Sequence, residues 1–186
     1  MFRKLCACAA GLLLTANVAL AAQAGQGDRK DFQVAKDIAK SVQRYAQFSI
    51  FDDVSANGKD GLVTLTGKVT MPYKRDDIEK RIAKVDGVRG VNDQIGVLPV
   101  SQFDDDLRYR IARSIYNNSN FWNYAMMPNP PIHIVVEHGR VTLTGVVQSE
   151  VDRMLARSLA TQFGALSVTN ALKTDAEVSD ALAKSE

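Results

Sequence analysis

A nine-residue stretch that occurs twice constrains this chain more than any other feature. Gly61-Leu62-Val63-Thr64-Leu65-Thr66-Gly67-Lys68-Val69 returns 78 positions later as Gly139-Arg140-Val141-Thr142-Leu143-Thr144-Gly145-Val146-Val147. An internal repeat decides the architecture before any single element does. In each copy Val63, Leu65 and Val69, or their counterparts, alternate with threonines, the period-two pattern of a half-buried strand. The leading glycine suits a hairpin turn, where positive φ is often required. The glycine at the other end marks a bulge or a close approach of another backbone. Two such strands predict two copies of one small domain.

The flanking residues give each copy the same order. Val34, Ala35, Ile38, Val42 and Tyr45 recur at helical spacing, which predicts a helix over 32–47. Ile50 to Ser55 reads as a short strand and Ala56 to Gly61 as a polar turn, before the repeated strand. Pro72 suits the first turn of a second helix, with Ile78, Ile82 and Val85 as its buried stripe and Lys74, Arg75, Lys80 and Arg81 in water. Val88, Val91, Ile95 and Val97 predict a closing strand. In the second copy Leu107, Ile111, Ile115 and Tyr116 mark the first helix, and 131–137 the first strand. Ser149, with Asp152 three residues on, caps a helix whose inner face is read as Val151, Met154, Leu155, Leu159 and Phe163. Leu166, Val168, Asn170 and Leu172 make the last strand. The expected fold is α+β: two αββαβ repeats, each a small three-stranded mixed sheet with two helices on one face. A crossover helix makes the second and third strands parallel, and the first two form an antiparallel hairpin. The repeats span 31–99 and 103–174, and each core is small enough that the two should pack together. Residues 175–186 read as a flexible, frayed tail.

Residues 1–21 carry the pattern of a secretory signal peptide: Arg3 and Lys4, an apolar run from Leu5 to Leu20, and Ala19-Leu20-Ala21 as the cleavage site. A flexible leader, 22–30, follows. Cleavage removes Arg3 and Lys4 from 23 basic residues and leaves 21 against 21 acidic ones. The mature chain is therefore neutral, which speaks against nucleic-acid binding. Both cysteines leave with the signal, so the mature chain has no disulfide and no thiolate chemistry. A periplasmic, exported chain is the expectation.

The doubled hairpin, with Asp86-Gly87-Val88-Arg89-Gly90-Val91-Asn92 after the first crossover helix, resembles the BON domain family. The second counterpart, Gly164-Ala165-Leu166-Ser167-Val168-Thr169-Asn170, departs from the usual Gly-Val pairing. The resemblance covers nearly all of the mature chain. It implies a non-enzymatic role at the bacterial periplasm or outer membrane, tied to phospholipid binding, envelope integrity or osmotic-stress tolerance. It implies no catalytic residues.

The second repeat has an insertion, residues 120–131, that the first lacks. Phe121, Trp122, Tyr124, Met126 and Met127 there suit a membrane interface or an adaptable contact surface. Arg108, Arg110 and Arg113 on the preceding helix and Arg140 in the hairpin suit anionic headgroups. The bland alternative packs this loop between the two repeats, and large apolar side chains are more often buried than not. The partners expected are an anionic phospholipid surface or envelope proteins, the latter through the loop or a sheet edge. His133 and His138 lie an odd number apart about a strand, which disfavours joint metal ligation. Asp104, Asp105 and Asp106 suit a helix N-terminus, and Asp52-Asp53 and Asp76-Asp77 read as solvated. No catalytic motif, cofactor or metal site is expected.

Overall fold

In the computed structural model the described residues are 31–183; the expected signal peptide and leader, 1–30, and the last three residues lie outside them. The first repeat runs α1 (31–43), β1 (Asp53–Lys59), β2 (Leu62–Val69), α2 (Pro72–Ile82) and β3 (Gly90–Val97). The second runs α3 (Gln102–Tyr116), a short 3-10 turn (Ser119–Phe121), α4 (Trp122–Ala125), β4 (Ile132–Glu137), β5 (Arg140–Val147) and α5 (Glu150–Ala160). It ends with a second 3-10 turn (Thr161–Phe163), β6 (Ser167–Asn170), β7 (Lys173–Thr174) and α6 (Asp175–Ala183). The α+β duplication read from the sequence is the fold.

Each repeated strand is the centre of its sheet. β2 pairs antiparallel with β1 and parallel with β3. β5 pairs antiparallel with β4 and parallel with β6, then with β7 over its last two residues. The alternation explains the layers. Val63, Leu65 and Val69 join Ile38 and Tyr45 from α1, Ile78 and Ile82 from α2, and Ile95 from β3 in one buried cluster. Val141, Leu143 and Val147 do the same with Leu107, Ile111 and Ile115 of α3 and Ala156 and Ala160 of α5. The hairpins turn through Asp60-Gly61 and His138-Gly139, all four at positive φ between 51° and 78°. That is the I′ geometry whose twist matches the strands it joins.

Four local expectations need correction. The first hairpin turn is two residues long, so β1 starts at Asp53 and runs on to Lys59, taking in the Ala56 to Lys59 stretch read as turn. Lys74 and Asp52 are not in water. Asp52 is fully buried, accepts from Lys74 Nζ at 2.7 Å, and also takes the N–H and hydroxyl of both Ser49 and Thr70. On α5, Val151 and Met154 face solvent, while Leu155, Ala156, Leu159 and Ala160 face inward. The apolar stripe is broad enough to fit either rotation, and the two alanines let the helix approach the sheet. The tail is helical as far as Ala183, because Thr174 and Glu177 form a reciprocal capping box. Arg153 of α5 also holds Glu177.

The repeats pack on one another, as their small cores require. Ile134 donates its N–H to Ile50 O at 2.7 Å, and Phe51 enters the second core, edge-on to Tyr109. Phe48 lies against His133, and Lys68 pairs with Glu137.

Candidate functional site

The insertion is not a free flap: its first half packs into the second repeat, and Asn129 near its end donates to Gln43 O of the first. Asn118 caps its first turn by accepting the N–H of Asn120, and the chain then coils through Ser119–Phe121 into α4. Residues three apart share a helical face, so Phe121 and Tyr124 turn inward together. Phe121 is fully buried and Tyr124 nearly so, both in the core of the second repeat. Trp122 and Met126, four apart, turn outward and are 65% and 71% exposed, with Met127 partly exposed beside them.

Tyr124 fixes this arrangement. Its hydroxyl accepts the N–H of Gln148 at 2.7 Å and donates to Asp152 Oδ2 at 3.0 Å. Burial first, with a smaller contribution from Asp152, pushes its phenol above the ordinary value. The first repeat has the same post with opposite polarity. There Thr70 N–H, at the place of Gln148, donates to Asp52, and Lys74, at the place of Asp152, donates to it too. A carboxylate–ammonium pair in one repeat is answered by a phenol–carboxylate pair in the other, and the insertion supplies the phenol. Tyr124→Phe removes both bonds, one of them to a charged group, and should cost about 1–3 kcal/mol in a urea titration.

The arginines separate in the same way. Arg108 is buried: it donates to Val136 O at 2.6 Å and pairs with Asp105. It is a structural residue, and so are Phe121 and Tyr124; these three are removed from the surface set expected from sequence. Arg110, Arg113 and Arg140 are exposed and form no ion pair among the described residues. Arg110 and Arg113 share one face of the C-terminal half of α3, the half that leads into α4. Arg140 sits at the hairpin, with a separate exposed pair near it: a Cβ on Gly139 would touch Leu166 and come within 3.5 Å of Phe103.

Several of the polar groups are spent on holding the fold. Asp104 is buried and accepts the N–H groups of His138 and Gly139, both at 2.8 Å, tying the helix start to the hairpin. Among the described residues no three His, Cys, Asp or Glu side chains come together as a metal would require. The backbone of His138 forms the turn, and His133 lies against Phe48. No helix among the described residues is long and apolar enough to cross a membrane.

A second feature escaped the sequence reading. A groove of about 600 Å³ lies between α1 and the open edge of β1, with the Pro128–Pro131 segment and His133 on its far side. Aligning the helices on Asp31 and Asp104, which both accept a hairpin N–H, places Ala35, Ala39 and Gln43 where α3 has Arg108, Ala112 and Tyr116. Ala35 in place of Arg108 and Gln43 in place of Tyr116 were the available signal.

The chain matches the family model described as BON domain twice, over residues 29–99 and 104–176. No curated protein matches it. Among solved structures it is similar to CdsD, a structural protein of the type III secretion system of Chlamydia trachomatis. One CdsD structure shares 13% identity over 82% of this chain and 68% of that one, with a TM-score of 0.31. Its C-terminal domain shares 12% identity over 75% of this chain and 96% of that one, with a TM-score of 0.26. The two family matches fall on the two sheet-and-helix repeats, and this chain belongs to the BON domain family as a tandem of two such domains.

Proposed function

We propose that this protein is exported to the bacterial envelope, catalyses nothing, and binds an anionic phospholipid surface through the outer side of the insertion. Trp122 and Met126 insert at the membrane interface, Met127 borders them, and Arg110 and Arg113 meet the headgroups. In this reading the protein supports envelope integrity or tolerance of osmotic stress.

The observation that carries the reading is the two-sidedness of the insertion. Its inner residues are locked in the core, yet its outer residues are a tryptophan and a methionine that cover nothing among the described residues. Exposed large apolar groups on a turn held from behind meet a partner without a further cost of ordering the backbone. A tryptophan on α4 and arginines on the helix that leads into it are the residue types that suit the boundary between headgroups and acyl chains.

Flotation with vesicles of phosphatidylglycerol mixed into phosphatidylcholine tests it. Each basic contact at such a surface contributes about 1 kcal/mol, so Arg110→Ala with Arg113→Ala should weaken binding roughly thirtyfold. Trp122→Ala with Met126→Ala should also abolish flotation while leaving the urea midpoint within about 0.5 kcal/mol of the parent, as expected for exposed sites. Undiminished flotation of either folded variant refutes the assignment.

A further inference from the structure

We infer that the open edge of β1 is a docking site for an extended polypeptide segment of a partner protein, added as a fourth strand to the first sheet. The argument rests on the difference between two strands that the repeat makes equivalent.

β4 and β1 are each the edge strand of a sheet. On β4, three outward backbone groups are already satisfied. Tyr116 Oη donates to Ile132 O at 2.6 Å, Ile134 N–H donates to Ile50 O at 2.7 Å, and Arg108 Nη2 donates to Val136 O at 2.6 Å. The register of the two hairpins matches these positions to Val54, Ala56 and Gly58: Ile132 faces Gly145 as Val54 faces Gly67. None of the three β1 positions has a hydrogen bond outward among the described residues. Their counterparts on β4 are held by a donor, an acceptor and a donor at alternate residues, the sequence that a strand's own edge presents. The Ile50 carbonyl already supplies one such bond to β4 from the other repeat.

The reason β1 is open lies on α1. Arg108 and Tyr116 reach over the β4 edge from α3, but Ala35 and Gln43 stand in their places on α1 and leave the groove. Ala35, Ile38, Ala39 and Val42 line its helical side, and Val54 and Ala56 its strand side. The groove runs along Val54 and Ala56, and the unpaired edge as far as Gly58 takes four or five residues at about 3.3 Å each. Small apolar side chains at alternate positions would face Ile38 and Val42, and the others would face solvent. His133 Nδ1, buried on the far wall without a partner, lies beside this path. A row of unpaired N–H and C=O groups selects a polypeptide over an acyl chain, which offers neither.

The test uses the mature chain, isotope-labelled for NMR, and a capped octapeptide of alternating valine and serine as probe. Amide shifts should change at Val54, Ala56 and Gly58 and along α1, and not at Trp122. The same peptide with proline at every second position, lacking those N–H donors, should bind at least tenfold more weakly. Ala35→Arg with Gln43→Tyr, which transplants the α3 side chains, should also weaken the valine–serine peptide at least tenfold. In that variant hydrogen exchange at Ser55 and Asn57, whose amides pair with β2, should be unchanged or slower, showing that the fold is kept. Trp122→Ala should leave peptide binding intact, which separates this site from the lipid surface. Shifts elsewhere, equal binding of the proline peptide, equal binding by the closed-groove variant, displacement of the peptide by a lysophospholipid below its micelle concentration, or edge-to-edge pairing of two copies of β1 would each overturn the assignment.

Discussion

Gly145→Ala should unfold the second repeat, with a loss above about 4 kcal/mol, the range reserved for severe single substitutions. Gly145 lies at φ +115°, where an L side chain is strained whatever the space, and a Cβ there would stand 1.8 Å from Pro131 O. The obstruction is backbone, so no rotamer change relieves it. The chain entering β4 would have to move away from β5, breaking the pairing of Ile132 with Gly145 that starts the sheet. Gly67 is in the same position in the first repeat, its added Cβ 2.1 Å from Asp53 O. The repeated motif thus keeps its final glycine in both copies for one physical reason, a backbone that crosses too closely for any side chain. Gly164→Ala is the control. It also has positive φ, but nothing lies within 4 Å of an added Cβ, so only the conformational cost of about 1 kcal/mol remains. Urea titrations of the two variants should differ by at least 3 kcal/mol; similar midpoints would show that the crossing backbone yields.

That glycine was legible because its cause is local: a strand pattern interrupted at one position in both copies. The second hairpin turn, His138-Gly139, and the parallel third strands were legible on the same ground, since alternation and crossover length are written in consecutive residues. The second half of β1 was not. Ala56-Asn57-Gly58-Lys59 has little intrinsic preference for a strand and is extended because β2 lies beside it, a tertiary effect. The α6 helix was passed over because Asp175 to Ala183 has no strong apolar stripe; the Thr174–Glu177 spacing was its signal.

The candidate site was half legible. Composition singled out the insertion, but its division into inner and outer faces depended on reading Phe121 with Tyr124, three apart, and Trp122 with Met126, four apart, as helical neighbours. Arg108 could not be told from Arg110 by type. Only the packing of α3 along β4 turns one of them inward to Val136 O, and the contrast with Ala35 on α1 appears only once the two repeats are superposed on their hairpins. Charge in a sequence carries no mark of burial, and the same blindness hid Asp52 and Lys74.

Lys74→Met should cost about 3–5 kcal/mol at neutral pH, because it leaves the fully buried Asp52 carboxylate without its cation. In the parent, burial is the strongest single influence on Asp52 and pushes its carboxyl up. The Lys74 ammonium, together with Thr70 and Ser49, outweighs it and holds the carboxyl below the ordinary value of 3.8. A carboxyl depressed on folding contributes stability that is present above the unfolded value and is lost as pH falls through the folded one. The parent should therefore keep this contribution down to about pH 4 and lose it only below that. Without Lys74 the balance reverses. Desolvation now dominates, the carboxyl rises above its unfolded value, and the variant should gain stability on acidification from pH 7 toward pH 4.5, where the parent gains none from this group. Adding Asp52→Asn to Lys74→Met removes the buried charge and should restore at least half of the loss, since a buried pair removed together costs far less than one partner removed alone. Urea midpoints for parent, single and double variants at pH 7 and pH 4.5 carry the test. A Lys74→Met variant that loses less than about 1 kcal/mol, or that gains nothing relative to the parent between pH 7 and pH 4.5, would mean that water reaches Asp52 and that the pair is not what seats α2 on the first sheet.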